Sequence, residues 1–424
     1  MPFCIIPWTH VAIKNNGSLR MCSHSQSAGE GNTILHNDDK PLHVSELNHE
    51  TLNCDTLKQV RKDFMLDRWP EQCKRCKMES ESGKNSRNIW ETIRAESWIS
   101  KKDVFEITDL KGEISTPVIR DLDMRIGNFC NLRCAMCFPG ESSLWYKEYE
   151  DIFGKQTFTV DSAEYNLDQP GNFDWFDNEE YVNNLLDHCA YLNKIKFGGG
   201  EPIIIKRHKQ FLQGLIDRGY AKNIELEYSI NVTAVPLYLI DMWKHFRRIK
   251  LCCSIDAYGE ANGAIRWPSK WNKVEETLRY IDALDSNVVA FTSTTINILS
   301  LEHYSTLMLW IRDQKFKKIN NPVWGPSDIS HLVYNPKSLS ISTLEPHQFE
   351  RIFDSIYNKA KHISHLDKKL SDYRSLYYRI LNTNDAEHPR SEFVRIFDKF
   401  QQHQNQDWSK LFPYAHSVML DWKK

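Results

Sequence analysis

Cys130-Asn131-Leu132-Arg133-Cys134-Ala135-Met136-Cys137 sets three thiols within eight residues, spaced C-x3-C-x2-C. The stretch before it, 118–126 (VIRDLDMRI), alternates apolar and polar side chains as a half-buried strand does. A [4Fe–4S] cluster usually takes four cysteines. A loop that supplies three leaves one iron open to an outside ligand, and that opening is a reason to expect chemistry rather than electron storage alone. Short cysteine clusters also bind zinc, and as a spacing the motif admits half of a structural zinc site.

Outward from this loop the chain alternates strand and helix. Strands are expected at 118–126, 195–197, 225–233, 249–256 and 288–297, with a weaker sixth around 323–333. Helices are expected between them at 179–192, 206–218, 236–246, 271–284 and 301–314. Such alternation predicts an α/β fold with a parallel sheet, curled into a barrel or left open, with ligands at the carboxyl ends of its strands. The second strand ends in Phe197-Gly198-Gly199-Gly200-Glu201-Pro202. Glycines there let backbone approach a ligand closely, and the Glu201 carboxylate suits an ammonium.

Upstream, Cys4 and Cys22 flank an expected hairpin: strands at 8–13 and 19–22 around the turn Asn15-Asn16-Gly17. A helix is expected at 57–66, then Cys73-Lys74-Arg75-Cys76. These four thiols suit a tetrahedral zinc site or a fully ligated [4Fe–4S] cluster, and spacing does not choose between them. Cys54, between the pairs, reads as a small buried side chain. Residues 79–114 read as a connector with a helix near 87–95. The insertion 141–178 is rich in aromatics and reads as a lid or as packed structure. Residues 343–424 carry three helical stripes, at 347–360, 366–382 and 391–402.

The whole chain sets outer bounds. At 424 residues with 41% hydrophobic and 26% charged side chains it has material for a large core in two or three modules. A formal charge of −2 gives no basic surplus pointing to nucleic acid. No apolar run approaches a membrane span and no signal-like start appears, so a cytoplasmic protein with reduced thiols is expected. Of its eleven cysteines, seven fall in the two metal-like sets.

The C-x3-C-x2-C loop followed one strand later by Gly-Gly-Glu-Pro resembles the radical S-adenosylmethionine (radical SAM) superfamily. The resemblance implies a partial (β/α)6 barrel and a [4Fe–4S] cluster held by Cys130, Cys134 and Cys137. It implies S-adenosylmethionine chelated on the open iron, with its amine at Gly198, Gly199, Gly200 and Glu201. One electron from the cluster then cleaves the sulfonium to a 5′-deoxyadenosyl radical that abstracts hydrogen from substrate. Residues at later strand ends, Asn231, Thr233, Ser254, Asp256, Arg266 and Asn297, are candidates for the ribose hydroxyls or the methionyl carboxylate. Asn128 and Asn131 are candidates to donate to cluster sulfur. Cys252, Cys253 and Tyr258 are candidate hydrogen donors to a substrate radical, against the plainer reading of the two cysteines as core.

The C-x12-G-x4-C opening is similar to SPASM and twitch auxiliary-cluster domains, here placed ahead of the barrel. It implies an auxiliary [4Fe–4S] cluster on Cys4, Cys22, Cys73 and Cys76. The domains implied are a twitch-like unit at 1–85, a connector at 86–116, the barrel at 117–335 and a helical extension at 336–424. Such relatives often modify peptide or protein side chains, with a small metabolite, sugar or nucleotide as the other substrate class. A flavodoxin or ferredoxin is the electron donor implied. A non-catalytic iron–sulfur or zinc scaffold is the reading from another class. Oligomeric state is not legible in the sequence.

Overall fold

The computed structural model describes residues 2–22, 34–81, 86–160, 163–169, 171, 173–319, 328–361, 370–371, 374–375, 377–378, 381 and 387–424. Among them, eight strands form one sheet: β1 His10–Ile13, β2 Leu19–Arg20, β3 Asp121–Arg125, β4 Lys194–Gly198, β5 Glu225–Ile230, β6 Arg248–Ser254, β7 Val288–Ile296 and β8 Asp328–Leu332. Their order is β8-β7-β6-β5-β4-β3-β1-β2. Strands β3 to β8 thus lie in sequence order, as helical right-handed crossovers give. This is the α/β class expected, with the six strands of a partial (β/α)6 arrangement. Part of the expected sixth strand, at 323–327, lies outside the described residues, as does most of the helix expected at 366–382.

The N-terminal hairpin is part of this sheet. β1 and β2 pair antiparallel about Gly17, whose φ of +81° suits only glycine well. β1 then lies parallel to β3, with His10 opposite Asp121 and Ile13 opposite Met124. The strand begins two residues later than its apolar pattern suggests, because a short helix, Ile6–Thr9, with Pro7 in its first turn, precedes it.

The chain divides into two compact units, neither continuous in sequence. The first takes 1–129, 157–228 and 236–249. One strand face of it is apolar: Phe197 stacks on Tyr228 at 5.1 Å, and Trp243 packs beside them. The helix Asp55–Met65 buries Leu57, Val60, Arg61 and Phe64 on one stripe. Buried Arg61 donates to the carbonyls of Pro7 (2.9 Å) and Leu52 (2.6 Å) and so fixes the segment after Cys4.

The other strand face of this unit is charged. In-register rows run His10, Asp121, Lys194, Glu225 and Ala12, Asp123, Lys196, Glu227, so opposite charges sit side by side. Lys194 Nζ stands 2.9 Å from Glu227, and His10 Nδ1 3.2 Å from Asp121. The helix Arg87–Ala95 meets this charge with its polar stripe, Arg94 pairing with Asp121 and Arg87 with Glu91. Its apolar side chains Trp90 and Ile93 are left 58% and 60% exposed. The usual amphipathic order is inverted here, because a charged sheet face needs counter-charges more than it needs apolar cover.

The second unit takes 130–156, 229–235 and 250–424. The early part of the aromatic insertion is packed structure here: Trp145 and Phe153 lie 6.0 and 6.1 Å from Phe400 of the helix Glu387–Gln404. Phe400 in turn stacks on Trp408 at 5.1 Å. Glu302 accepts the Tyr414 and Ala415 amides at the start of the helix Pro413–Trp422.

Candidate active site and a second thiol pocket

In the second unit, Arg133–Cys134 forms a two-residue strand paired antiparallel with Arg266–Trp267, Cys134 facing Arg266. The Ala135 amide donates to Ile265 and the Cys137 amide to Cys134, which curls the loop so that its thiols converge. The Cys137 thiol hydrogen-bonds to Cys134 and lowers it below the ordinary thiol range, against burial and with help from Arg266. Cys137 is raised by the same bond, by burial and by repulsion from Cys134 and Cys130. The Leu132 amide points at Cys130 sulfur, 3.4 Å away. N–H donors aimed at converging cysteine sulfurs are what a cluster's thiolates call for, so this donor set fits a [4Fe–4S] cluster.

Arg266 Nε lies 2.7 Å from Asp256 Oδ2, and its Nη1 lies 3.8 Å from Cys134 Sγ. Asp256 is fully buried and its Oδ1 accepts the Thr295 amide at 2.7 Å. The Asn262 side chain accepts the Asp256 amide. Asp256 and Arg266 are therefore partners of each other. Asn131, Asn231 and Thr233 close a ring: Asn131 donates to Thr233 (3.0 Å), Asn231 to Asn131 (2.6 Å), and Thr233 to Asn231 (2.7 Å). Between the last two, buried Val232 sits at φ +61°, a costly conformation for a β-branched residue. Asn297 is a helix cap, accepting the Leu299 and Ser300 amides.

β6 resolves which of the paired cysteines faces where. Cys252 shares the half-buried side with Lys250 and Ser254, and Cys253 is fully buried beside Leu251. Tyr258 packs on Trp271 and Trp310, 5.0 and 5.6 Å between ring centres.

In the first unit, the turn after β4 is stitched to residues 126–129. The Ile126 amide donates to Gly198 (3.1 Å), Gly200 to Gly127 (2.8 Å) and Glu201 to Phe129 (2.8 Å). A Cβ on Gly199, at φ +98°, would stand 2.5 Å from the Gly127 oxygen, and one on Gly200 2.1 Å from the Phe129 oxygen. These glycines admit protein backbone, a demand additional to any ligand's. Glu201 is buried within the same turn.

Also in the first unit, Cys4, Cys22, Cys73 and Cys76 line one pocket with Arg87 and Asn88. Burial above all pushes the Cys4, Cys73 and Cys76 thiols up, and the neighbouring thiols add to it. The Asn88 amide offers Cys76 a hydrogen bond and the Ile6 amide offers one to Cys4. Burial opposes the Arg87 charge, yet Cys22, Glu91, Asp123 and Asp121 outweigh it and hold the guanidinium above its ordinary value. Four thiols, two amides and a cation in one pocket fit an anionic thiolate-ligated centre. Cys54 is buried at the start of the helix Asp55–Met65 and does not line the pocket. Among the described residues no three His, Cys, Asp or Glu side chains are set for a single metal ion. A cubane gives each thiolate its own iron and so spaces its ligands farther apart than one ion does.

Arg61 and Arg87 are the residues that the motifs alone do not reveal. A signal for Arg87 exists in the charged alternation of 121–125, 194–196 and 225–227, which demands counter-charges from elsewhere. Among the described residues no helix is long and apolar enough to cross a membrane.

Residues 124–311 match the family model of the Radical SAM superfamily. That stretch carries a radical SAM domain, a family that implies a [4Fe–4S] cluster and S-adenosylmethionine. No curated protein matches it. Among solved structures it is similar to anSMEcpe with bound AdoMet, at 17% identity and a TM-score of 0.37, over 56% of this chain and 60% of that one. It is similar to anSMEcpe with bound AdoMet and Cp18Cys peptide, at 14% and 0.35, over 57% and 59%. It is similar to Streptococcus suis SuiB, at 13% and 0.31, over 72% and 59%. The chain spans about 60% of the length of these structures.

Proposed function

We propose that this chain is a radical SAM enzyme and that it abstracts a hydrogen atom from a side chain of a peptide or protein. The cluster and S-adenosylmethionine, when bound, supply the 5′-deoxyadenosyl radical. Cys130, Cys134 and Cys137 hold the cluster, and Gly198, Gly199, Gly200 and Glu201 receive the amine of the sulfonium nucleotide. Asn231 and Ser254 are assigned to its ribose or carboxylate, and Cys252, on the half-buried side of β6, is the hydrogen donor of choice over Cys253.

One observation carries the substrate class: Cys4, Cys22, Cys73 and Cys76 line a single pocket. That is the ligand set of an auxiliary [4Fe–4S] cluster, and the resemblance ties such clusters to peptide and protein modification. The pocket's amide donors and Arg87 support an anionic centre there. A flavodoxin or ferredoxin would deliver the electron.

The test is anaerobic reconstitution with an iron count, then reductant and S-adenosylmethionine with assay of 5′-deoxyadenosine. Two cubanes give roughly eight irons per chain, and one cubane with zinc about four. Cys134→Ala should abolish 5′-deoxyadenosine, and Cys76→Ala should remove only the auxiliary metal. Co-expressed candidate peptides are then weighed for loss of hydrogen or a cross-link. Unchanged peptides together with consumption of a small molecule would sink the substrate assignment. No 5′-deoxyadenosine from iron-loaded protein would sink the chemistry.

A further inference from the structure

The resemblance would send the Arg266 guanidinium to the methionyl carboxylate. The structure commits it elsewhere. Its Nε is bound to Asp256 at 2.7 Å, and its Nη1 points at Cys134 sulfur from 3.8 Å. Its backbone is in antiparallel register with Cys134 itself, so the side chain springs from beside the sulfur it serves. Asp256 cannot drift, because the Thr295 amide holds its other oxygen at 2.7 Å. Both charged residues are buried, where a charge acts through a low dielectric and is little screened.

We infer that Arg266 is a positioning residue of the catalytic cluster, which fixes Cys134 and sets the cluster's reduction potential through a cation whose strength Asp256 trims. The inference rests on the radical SAM reading above. The argument is electrostatic. One-electron reduction makes the cluster and its three thiolates one unit more negative. A fixed cation beside a ligand sulfur favours that reduced form and raises the potential, as hydrogen bonds to cluster sulfur do. The guanidinium keeps its charge at any working pH. The carboxylate paired with that cation acts in the opposite sense. The pair therefore makes a prediction of sign that general damage to the loop does not make.

The experiment is potentiometric titration of the reconstituted full chain without S-adenosylmethionine, followed by electron paramagnetic resonance. The catalytic cluster is the signal that changes shape when S-adenosylmethionine is added afterwards. Arg266→Gln should shift its midpoint negative, with the reduced fraction at a fixed potential falling about tenfold, which is roughly 59 mV for one electron. Asp256→Asn should shift it positive. Arg266→Lys, which keeps the charge, should stay nearer wild type than Arg266→Gln. An unmoved midpoint in Arg266→Gln at wild-type iron content overturns the inference, and so do shifts of one sign in both variants. If Arg266→Gln does not load iron, Asp256→Asn decides by its sign alone. A wild-type chain that takes up no iron condemns the radical SAM reading instead.

Discussion

The Glu201 amide donates to the Phe129 carbonyl at 2.8 Å, which joins the turn after β4 to the residue that precedes Cys130. The bond repeats one step earlier, from Gly200 to Gly127. Both need backbones closer than a side chain would allow, so the glycines are demanded by the protein before any ligand arrives.

Gly200→Ala should therefore push the two segments apart, since its Cβ would meet the Phe129 oxygen at 2.1 Å. Binding of S-adenosylmethionine should weaken by about tenfold or more, as expected when a site is displaced by about 1 Å. Gly219→Ala is the control: nothing lies within 4 Å of its Cβ, and its φ of +73° costs only about 1 kcal/mol. Anaerobic equilibrium dialysis with labelled S-adenosylmethionine compares the two. Equal affinities would remove the stitched turn from the account of binding.

Arg87 faces thiols on one side and carboxylates on the other. Arg87→Ala strips Glu91 of one of its two partners, 3.2 Å away, leaving Arg94, and removes one of several counter-charges from Asp123. Breaking one member of such a buried set costs roughly 3 kcal/mol. The auxiliary pocket should also lose metal, so iron per chain should fall while cleavage of S-adenosylmethionine persists. Iron analysis beside a thermal melt reads both. A variant with full iron and unchanged melting would show the cation to be dispensable.

His208 is fully buried on the helix Lys206–Asp217, its Nε2 3.0 Å from the Tyr228 hydroxyl. Burial lowers its pKa to about 3. The unfolded chain then binds a proton below about pH 6.5 that the folded chain refuses. Stability should fall as pH drops from 6.5 towards 3, by about 2 kcal/mol at pH 5 for this group. Urea midpoints at pH 7 and pH 5 test it, with His208→Gln expected to show the shallower loss.

Asn297 separates a cap from a ligand. It accepts the Leu299 and Ser300 amides, so Asn297→Ala should cost about 1 kcal/mol of stability. The KM for S-adenosylmethionine should stay put. A raised KM with unchanged stability would return Asn297 to the binding site.

Much of this was legible because it is local. The thiol trio, the glycine turn and the run of strands β3 to β8 are each set by neighbours in sequence, and spacing reports them. Asn297 carries a local signal of its own: Ser300 three residues on completes a capping box, and a cap is the simpler reading of a polar residue at a strand end. What stayed hidden depends on distant pairing. Nothing within residues 8–13 says that β1 will lie against β3, since the partner stands far downstream. The helix Arg87–Ala95 carries Arg87, Glu91 and Arg94 on one stripe, which by itself reads as a solvated face. Only the charged rows of β3 to β5 turn that stripe inward. Arg266 was legible as a charge near a strand end, but its partners depend on a two-residue strand too short to leave a pattern.

The position of β1 has a temporal consequence. A ribosome releases the first hairpin roughly a hundred residues before the strand it must lie beside, so its cysteines emerge without their scaffold. Contacts of such long separation form late in folding. Cys4 and Cys22 then stay without their scaffold until that strand has emerged, and a nascent chain stalled short of residue 121 should hold its thiols open to alkylation.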